Sequence, residues 1–215
     1  MNAATPELDY TQRMNADINW ALREGGMFFQ GESEVQKSLR RLAPCLNELE
    51  TNYAVVGGMG LYLHGLRRYT EDINLLTTRA DLPKVHRALL GSGYRLSRVN
   101  GSNIHDMENG VYIKFMVSGD VPDPKRMAAE QDGVWLLNLA PLLNLKLISG
   151  LKGIARMKDL ADVQEMVKLL HLPQDFAGQL SPGVRAKYEE LWQGSQPDPD
   201  SHWNEDKWPA EKLQG

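Results

Sequence analysis

The chain has 215 residues, 42% of them hydrophobic and 24% charged, with a formal net charge of −4. These are ordinary values for a globular protein. The net negative charge argues against a protein that coats nucleic acid with its whole surface, but it is compatible with one local basic face. No stretch approaches the roughly 18 consecutive apolar residues of a membrane span, and the polar N-terminus lacks the apolar run of a signal peptide. We therefore expect a cytoplasmic protein without a membrane partner.

Two helices are predicted before residue 50. Residues 8–23 form a first helix with a weak apolar face, which Gly25 and Gly26 interrupt. Residues 33–49 form a stronger helix, because apolar residues recur there at helical spacing after Ser33, a suitable N-cap. Pro44 is expected to kink or split this helix.

The central part of the chain predicts strands that alternate with short helices. Strands are predicted over residues 52–56, 71–76, 93–99, 103–105 and 111–117, and helices over 57–65 and 81–92. The last two strands read as a hairpin around Glu108-Asn109-Gly110, since Asn-Gly is a strong hairpin turn signal. This order indicates a small mixed sheet with helices on one side.

From Leu139 onward the apolar pattern becomes helical, with helices predicted around residues 142–148, 157–170 and 184–192. The residues after Gly194 are predicted to be a loosely held tail. The fold class is therefore α/β, or more specifically α+β. We expect N-terminal helices over 1–50, a sheet-containing core over 51–138, a helical C-terminal part over 139–194 and a tail over 195–215.

The most informative segment runs from residue 53 to residue 77, YAVVGGMGLYLHGLRRYTEDINLLT. Gly57 and Gly58 follow its first strand, where glycine would let the backbone approach a phosphate and a helix N-terminus would favour an anion. Alternatively, the two glycines only make the turn from strand to helix. On the second strand, Asp72 and Asn74 are two residues apart and share one face, while Ile73 points into the core.

This pattern resembles the nucleotidyltransferase superfamily, most closely its small bacterial members, the minimal nucleotidyltransferases and AbiEii-like toxins. Their motif runs Gly-Gly, then His-Gly, then Arg-x-Thr-x-Asp-x-Asp. This chain presents Gly57-Gly58, His64-Gly65 and Arg68-x-Thr70-x-Asp72-x-Asn74. The resemblance covers residues 35–170 and is most specific between residues 57 and 76. It implies a nucleotidyltransferase core that transfers a nucleotide from a nucleoside triphosphate (NTP) to an acceptor hydroxyl with the help of Mg²⁺.

The resemblance assigns Asp72 to the metal site and places Asn74 where the family carries its second aspartate. An amide offers one neutral oxygen and no negative charge, and the charge of the ligands sets the affinity for Mg²⁺. We therefore expect a degenerate metal site, with Asp72 as ligand, Asn74 as a weak ligand, and weak binding of Mg²⁺. The alternative is that Asp72 is only a turn residue at the start of a strand.

A third carboxylate of the family normally comes from a neighbouring strand, and Lys114 occupies the corresponding position in VYIKFMV. Alternation along the strand turns Tyr112, Lys114 and Met116 toward the site. We predict that Lys114 and Asp72 form an ion pair that substitutes for the charge of a metal. The alternative is that Lys114 is an ordinary exposed lysine on a strand.

Arg68 and Thr70 match the family motif at the mouth of the site. A guanidinium matches a phosphate bidentately, so Arg68 is a candidate phosphate ligand. Arg68 is equally suited to a structural ion pair with Glu71 or Asp72.

Further along the chain, Lys146 is the best candidate to reach the cleft and contact a triphosphate or RNA. The alternative is an exposed ion-pair face, in which Asp159 and Asp162 lie at helical spacing from Arg156 and Lys158.

Three functions follow. The protein is an active or weakly active nucleotidyltransferase, a catalytically inactive module that binds a nucleotide or a partner protein on the same scaffold, or an RNA-binding protein without chemistry. The replacement of two expected carboxylates by Asn74 and Lys114 favours ancestry in this superfamily with impaired catalysis. The predicted ligands are an NTP and weakly held Mg²⁺, with RNA or a partner protein as alternative partners.

Overall fold

A computed structural model describes residues 9–97, 101–118 and 123–196. Its helices and strands follow in chain order: α1 (Tyr10–Ala16), α2 (Ile18–Gln30), α3 (Glu34–Glu48), β1 (Tyr53–Val56), α4 (Gly57–Leu63), β2 (Asp72–Thr78), α5 (Leu82–Leu89), β3 (Tyr94–Leu96), β4 (Ile104–Asp106), β5 (Tyr112–Ser118), β6 (Ala128–Gln131), β7 (Val134–Leu137), α6 (Leu139–Gly150), α7 (Met157–Leu169) and α8 (Pro182–Gln193). Short 3₁₀ helices cover Pro124–Met127, Ile154–Arg156 and Gln174–Gln179.

The strands form one mixed sheet in the order β3-β4-β5-β2-β1-β7-β6. The central strand β2 pairs antiparallel with β1 and parallel with β5. Strands β3, β4 and β5 form an antiparallel meander on one side, and the β6–β7 hairpin extends the other side by pairing β7 parallel with β1. The predicted α+β class with a mixed sheet is confirmed.

The two faces of the sheet contribute to two apolar clusters. Val55, Ile73 and Ile113 belong to a cluster that the N-terminal helices and α5 complete. Val56, Leu76 and neighbouring side chains pack instead against α6, α7 and α8. Because side chains alternate along a strand, the second face also carries Asp72, Asn74 and Lys114.

The N-terminal helices divide at a different point from the predicted one. Gly25 and Gly26 lie inside α2 and do not interrupt it, and the break falls at Asp17. The side chain of Asp17 accepts a hydrogen bond from the Trp20 backbone N–H, so it caps α2. An N-cap therefore decided the boundary, because it satisfies backbone donors that the start of a helix leaves free.

The helix predicted over residues 33–49 is confirmed, and Ser33 forms a capping box with Gln36. Pro44 lies inside α3 without splitting it. The hairpin around Asn109-Gly110 is also confirmed, since β4 and β5 pair antiparallel across it.

The β6–β7 hairpin was not among the predicted elements. Asp132 and Gly133 connect its strands with φ values of 51° and 78°, the left-handed conformations that a type I′ turn requires. An Asp-Gly pair before Val134-Trp135-Leu136-Leu137 was a usable signal for this hairpin.

The C-terminal helices lie close to their predicted positions and pack against the sheet through the second apolar cluster. Leu142, Leu147 and Val163 are among its fully buried members. No helix in the described ranges is both long and apolar enough to cross a membrane. The predicted tail lies almost entirely outside the described residues.

Candidate functional site

Two parallel strands bring the central residues of the predicted site together. The register of β2 and β5 places Asn74 beside Lys114 and Asp72 beside Tyr112. Ile73 and Ile113, which alternate with these residues, are completely buried on the opposite face. The side chains of Asp72, Asn74 and Lys114 therefore share one face of the sheet.

The carboxylate of Asp72 is the centre of this group. Lys114 Nζ lies 2.6 Å from Asp72 Oδ2, so the predicted ion pair is present. Asn74 Nδ2 donates to Asp72 Oδ1 at 2.9 Å, and Thr70 Oγ1 donates to the same oxygen at 3.2 Å. Both carboxylate oxygens therefore already have donors from the protein, and one of those donors carries a full positive charge.

The ion pair is accessible to solvent. The side chain of Lys114 is 49% exposed and that of Asp72 is 24% exposed. Beyond Lys114 on β5, Met116 is also exposed. The face of β5 near Asp72 is thus an open surface that a ligand could reach.

Gly57 and Gly58 pack directly against side chains of this group. Gly57 has a φ of 65°, and a Cβ at this position would lie 2.9 Å from both Asn74 Cβ and Asn74 Nδ2. A Cβ on Gly58 would lie 2.6 Å from Thr70 Oγ1. The close approach of α4 to β2 and to the loop before it therefore requires both glycines, a structural role beyond the turn that the sequence predicts. Contact of these glycines with a phosphate stays a prediction.

Arg68 and Lys146 lie at the edge of the site but bind carboxylates of α7. Arg68 Nη1 donates to Asp162 Oδ2 at 2.7 Å, and Lys146 Nζ donates to the same oxygen at 2.8 Å. Lys146 also contacts Asp159 at 2.6 Å. Arg68 therefore pairs with Asp162, and not with Glu71 or Asp72 as the sequence analysis considered.

This network is largely removed from solvent. The Asp162 side chain is 6% exposed, and the Lys146 side chain is 11% exposed. The alternative of an exposed ion-pair face with Arg156 and Lys158 is therefore wrong, because Asp159 and Asp162 pair with Lys146 and Arg68. The carboxylates of Asp159 and Asp162 balance the charges of Arg68 and Lys146. These ion pairs join the loop before β2 and helix α6 to helix α7.

Asp159 is held in its charged form. Burial opposes ionisation of this carboxyl, but the hydrogen bonds from Lys146 and Ser149 outweigh the burial and lower its pKa below the ordinary value of 3.8. Ser149 Oγ donates to Asp159 Oδ2 at 2.7 Å. Asp159 thus stays ionised at neutral pH.

Asp162 is the residue of this region whose role the sequence analysis did not recognise. It was identified only as an acid at helical spacing, yet it holds both basic residues of the predicted site. Asp162 directly precedes the buried Val163 and lies four residues before the buried Met166. An acid on the apolar side of a helix is a signal for a buried, paired carboxylate.

His64, which follows α4, has a structural partner. Its Nε2 lies 2.8 Å from the carbonyl oxygen of Leu137. This bond joins the end of α4 to the end of β7, so His64 contributes to packing of the elements around the site.

The residues at the site do not fit a Mg²⁺ ion. Mg²⁺ prefers oxygen ligands in octahedral geometry, but the group offers one carboxylate, one amide and one ammonium. Within the described ranges, no group of three or more Asp, Glu, His or Cys side chains is arranged to hold a metal. The charge beside Asp72 comes from Lys114.

Two cavities are lined by described residues, and Asp72 lines neither of them. One, of about 440 Å³, is bounded by α1, α2 and the turn after β4, and includes Arg13, Trp20 and His105. The other, of about 410 Å³, lies where α7 and α8 meet and includes His171 and Trp192. The chemistry of the Asp72 site therefore belongs to an exposed sheet face, and neither cavity includes it.

Comparison with protein-family models and with curated proteins gives no match. Among solved structures, the chain is similar to JHP933 from Helicobacter pylori, with a TM-score of 0.48 and 16% identity over 75% of this chain and 90% of that chain. A second H. pylori structure, described as a "putative nucleotidyltransferase", has a TM-score of 0.48 and 15% identity over 74% of this chain and 92% of that chain. Similarity at this level carries no conclusion about function. The chain is thus an α+β protein whose candidate site is defined by its own geometry.

Proposed function

We propose that this protein is a nucleotide-binding module on a nucleotidyltransferase-like scaffold, without metal-dependent nucleotide transfer. The observation that carries the proposal is the contact of 2.6 Å between Lys114 and Asp72, with Asn74 bound to the other oxygen of the same carboxylate. Transfer through two metal ions needs several carboxylates around one point. Here a lysine and an amide take the places that the resemblance gives to carboxylates.

Lys114 supplies a cation where the resemblance predicts a metal. An ammonium is a compact charge with three donors, so Lys114 can bind Asp72 and still offer donors to a phosphate. It is about half exposed, which leaves room for such a contact. A single ammonium cannot bridge an attacking oxygen and a leaving group as a metal pair does, and binding without transfer is the expected result.

The structure changes which residues would contact the phosphates. Arg68 and Lys146 form ion pairs with Asp162, so a phosphate would have to compete with a buried carboxylate to bind either of them. Arg67 is exposed and, among the described residues, forms no ion pair. Among the described residues near this part of the sequence, Lys114 and Arg67 are therefore cations that a phosphate could reach, whereas Thr70 is engaged with Asp72.

The test is isothermal titration of each of the four common NTPs into the purified protein, once with Mg²⁺ and once with EDTA. We expect at least one NTP to bind with the same affinity under both conditions. Lys114→Ala should abolish that binding, while Lys84→Ala, at an exposed lysine that pairs with Asp81 on α5, should leave it unchanged.

Two results would overturn the proposal in different ways. Pyrophosphate release that requires Asp72 would establish an active transferase, and activity should then rise in Asn74→Asp. The absence of any NTP binding, with the protein folded, would leave the scaffold as an interaction module for a protein or RNA.

A further inference from the structure

An apolar patch lies on the surface where α6 ends and α7 begins. It comprises Ile148, Leu151, Ile154 and Met157, which are 41%, 48%, 86% and 61% exposed. Single exposed apolar side chains are normal, but several together mark an interaction surface. These four lie within ten residues of sequence and are joined by a short 3₁₀ helix.

Basic residues surround this apolar patch. Lys152, Arg156 and Lys158 are exposed, and none of them forms an ion pair with a described residue. The nearest acid in the sequence, Asp159, is already bound by Lys146 and Ser149. Arg156 acts on Asp159 only through the electrostatic attraction that helps to lower the pKa of this carboxyl. The patch therefore presents apolar side chains beside a basic rim that forms no ion pairs among the described residues, and it fits a partner that combines aromatic or apolar groups with negative charge.

Residues 197–215 combine aromatic side chains with negative charge. Residues 197–215, PDPDSHWNEDKWPAEKLQG, contain five acidic residues against two lysines, and they include Trp203 and Trp208. Buried aromatic anchors supply much of the binding energy of an interface. Acidic side chains on both sides of each tryptophan would complement the basic rim.

The segment begins close enough to reach the patch. The carbonyl of Gly194, just after α8, accepts a hydrogen bond of 2.9 Å from Gln164 in the middle of α7. Along the helix, Gln164 is about 10 Å from Met157, given a rise of 1.5 Å per residue. Residues 197–215 can span up to about 60 Å when extended, so the segment is long enough to reach the patch.

We infer that residues 197–215 dock on the apolar patch of the same chain. Trp203 and Trp208 cover Ile154 and Met157, and the acidic residues pair with Lys152, Arg156 and Lys158. This contact places the C-terminal segment beside the network in which Asp159 holds Lys146.

The test uses the full chain with the photoreactive residue p-benzoylphenylalanine in place of Trp203 or Trp208. After irradiation at low protein concentration, mass spectrometry should locate the cross-link within residues 148–158. Mixing equal amounts of ¹⁴N- and ¹⁵N-labelled protein identifies the chain that is joined, and we expect adducts within one chain only. The same probe in place of the exposed Phe29 on α2 should give no cross-link to the patch.

Variants of the patch distinguish docking from random collisions. The cross-link should be abolished by Ile154→Asp, which removes the most exposed apolar side chain of the patch. It should also be abolished by the double variant Arg156→Glu/Lys158→Glu, which reverses the charge of two residues of the rim. These side chains are exposed, so both proteins should fold, which circular dichroism checks. Cross-links between chains would identify a second copy as the occupant, and cross-links elsewhere or insensitive to these variants would show that the segment does not dock here. Either result overturns the inference.

Discussion

Lys114 reaches diagonally across two parallel strands to bind Asp72. Its direct neighbour in the register is Asn74, and the neighbour of Asp72 is Tyr112, yet Lys114 Nζ lies 2.6 Å from Asp72 Oδ2. Asn74 donates to the other carboxylate oxygen. Lys114 and Asn74 thus act on the same carboxylate, one with a charge and one with a hydrogen bond.

The first prediction concerns metal binding. The unmodified protein should show no saturable rise in melting temperature when Mg²⁺ or Mn²⁺ is added without nucleotide, because Asp72 is already neutralised by Lys114. The double variant Asn74→Asp/Lys114→Asp places three carboxylates on one face. It should be stabilised by Mn²⁺, by about 2.7 kcal/mol when the metal is at one hundred times its dissociation constant.

The control for this experiment adds Asp72→Asn to the double variant. This variant is still more negative than the unmodified protein, but one carboxylate ligand is lost, and the metal-dependent shift should become small. A saturable shift in the unmodified protein as large as that of the double variant would contradict the role given to Lys114.

The second prediction concerns the close approach of α4 to β2. Gly58→Ala should destabilise the protein by about 1–3 kcal/mol, the usual cost of overpacking, because the new Cβ would lie 2.6 Å from Thr70 Oγ1. Urea unfolding followed by circular dichroism measures the change in the free energy of unfolding.

Gly26→Ala is the matched control, since this glycine lies within α2 and a Cβ there meets no atom within 4 Å. It should be neutral or stabilise the protein by up to about 1 kcal/mol, the helix propensity of alanine over glycine. If Gly58→Ala behaved like Gly26→Ala, the packing explanation of the glycine pair would be wrong.

The third prediction concerns the buried network around Asp162. Asp162→Asn should cost about 3–5 kcal/mol in unfolding free energy, because Arg68 and Lys146 lose the carboxylate that they share. The measurement is chemical unfolding at pH 7. A cost near zero would mean that these cations are solvated in solution and remain available to phosphate.

Glu165→Gln on the same helix is the control for Asp162→Asn. Glu165 pairs with Lys168 on the surface, where both side chains are about half exposed. Such pairs contribute only about 0–1 kcal/mol, so this variant should unfold almost like the unmodified protein.

The fourth prediction concerns the dependence of stability on pH. The pKa of Asp159 is lower in the folded protein than its ordinary value of 3.8, so the unfolded chain binds a proton at this carboxyl first as the pH falls. Its contribution to stability is therefore fully present well above the unfolded value of 3.8 and is lost as the pH decreases through the folded pKa. Asp159→Asn should lower stability at pH 7, and the difference from the unmodified protein should shrink below pH 4.

Urea unfolding at several pH values between 7 and 2.5 measures this difference. A gap between Asp159→Asn and the unmodified protein that stayed constant down to pH 2.5 would show that the charge of Asp159 does not stabilise the fold.

The pattern of residues was sufficient to predict most of the secondary structure around the site. Alternation along two strands placed Asp72, Asn74 and Lys114 on one face and Ile73 and Ile113 on the other, since side chains of a strand alternate without regard to what surrounds it. Periodicity likewise located α3, α6 and α7. The Gly25-Gly26 pair was misleading, because glycine lowers helix propensity but a capped, packed helix tolerates it.

The tertiary structure decided which charges meet. The same spacing of Asp159 and Asp162 suits an exposed ion-pair face, and only the packing of α7 against α6 turns both acids toward Lys146 and Arg68. Sequence alone thus determined the fold class and the residues that share the face of Asp72. The partner of each charged group depended on contacts between elements far apart in the chain, which no local pattern encodes, and those contacts leave Lys114 as the cation beside Asp72.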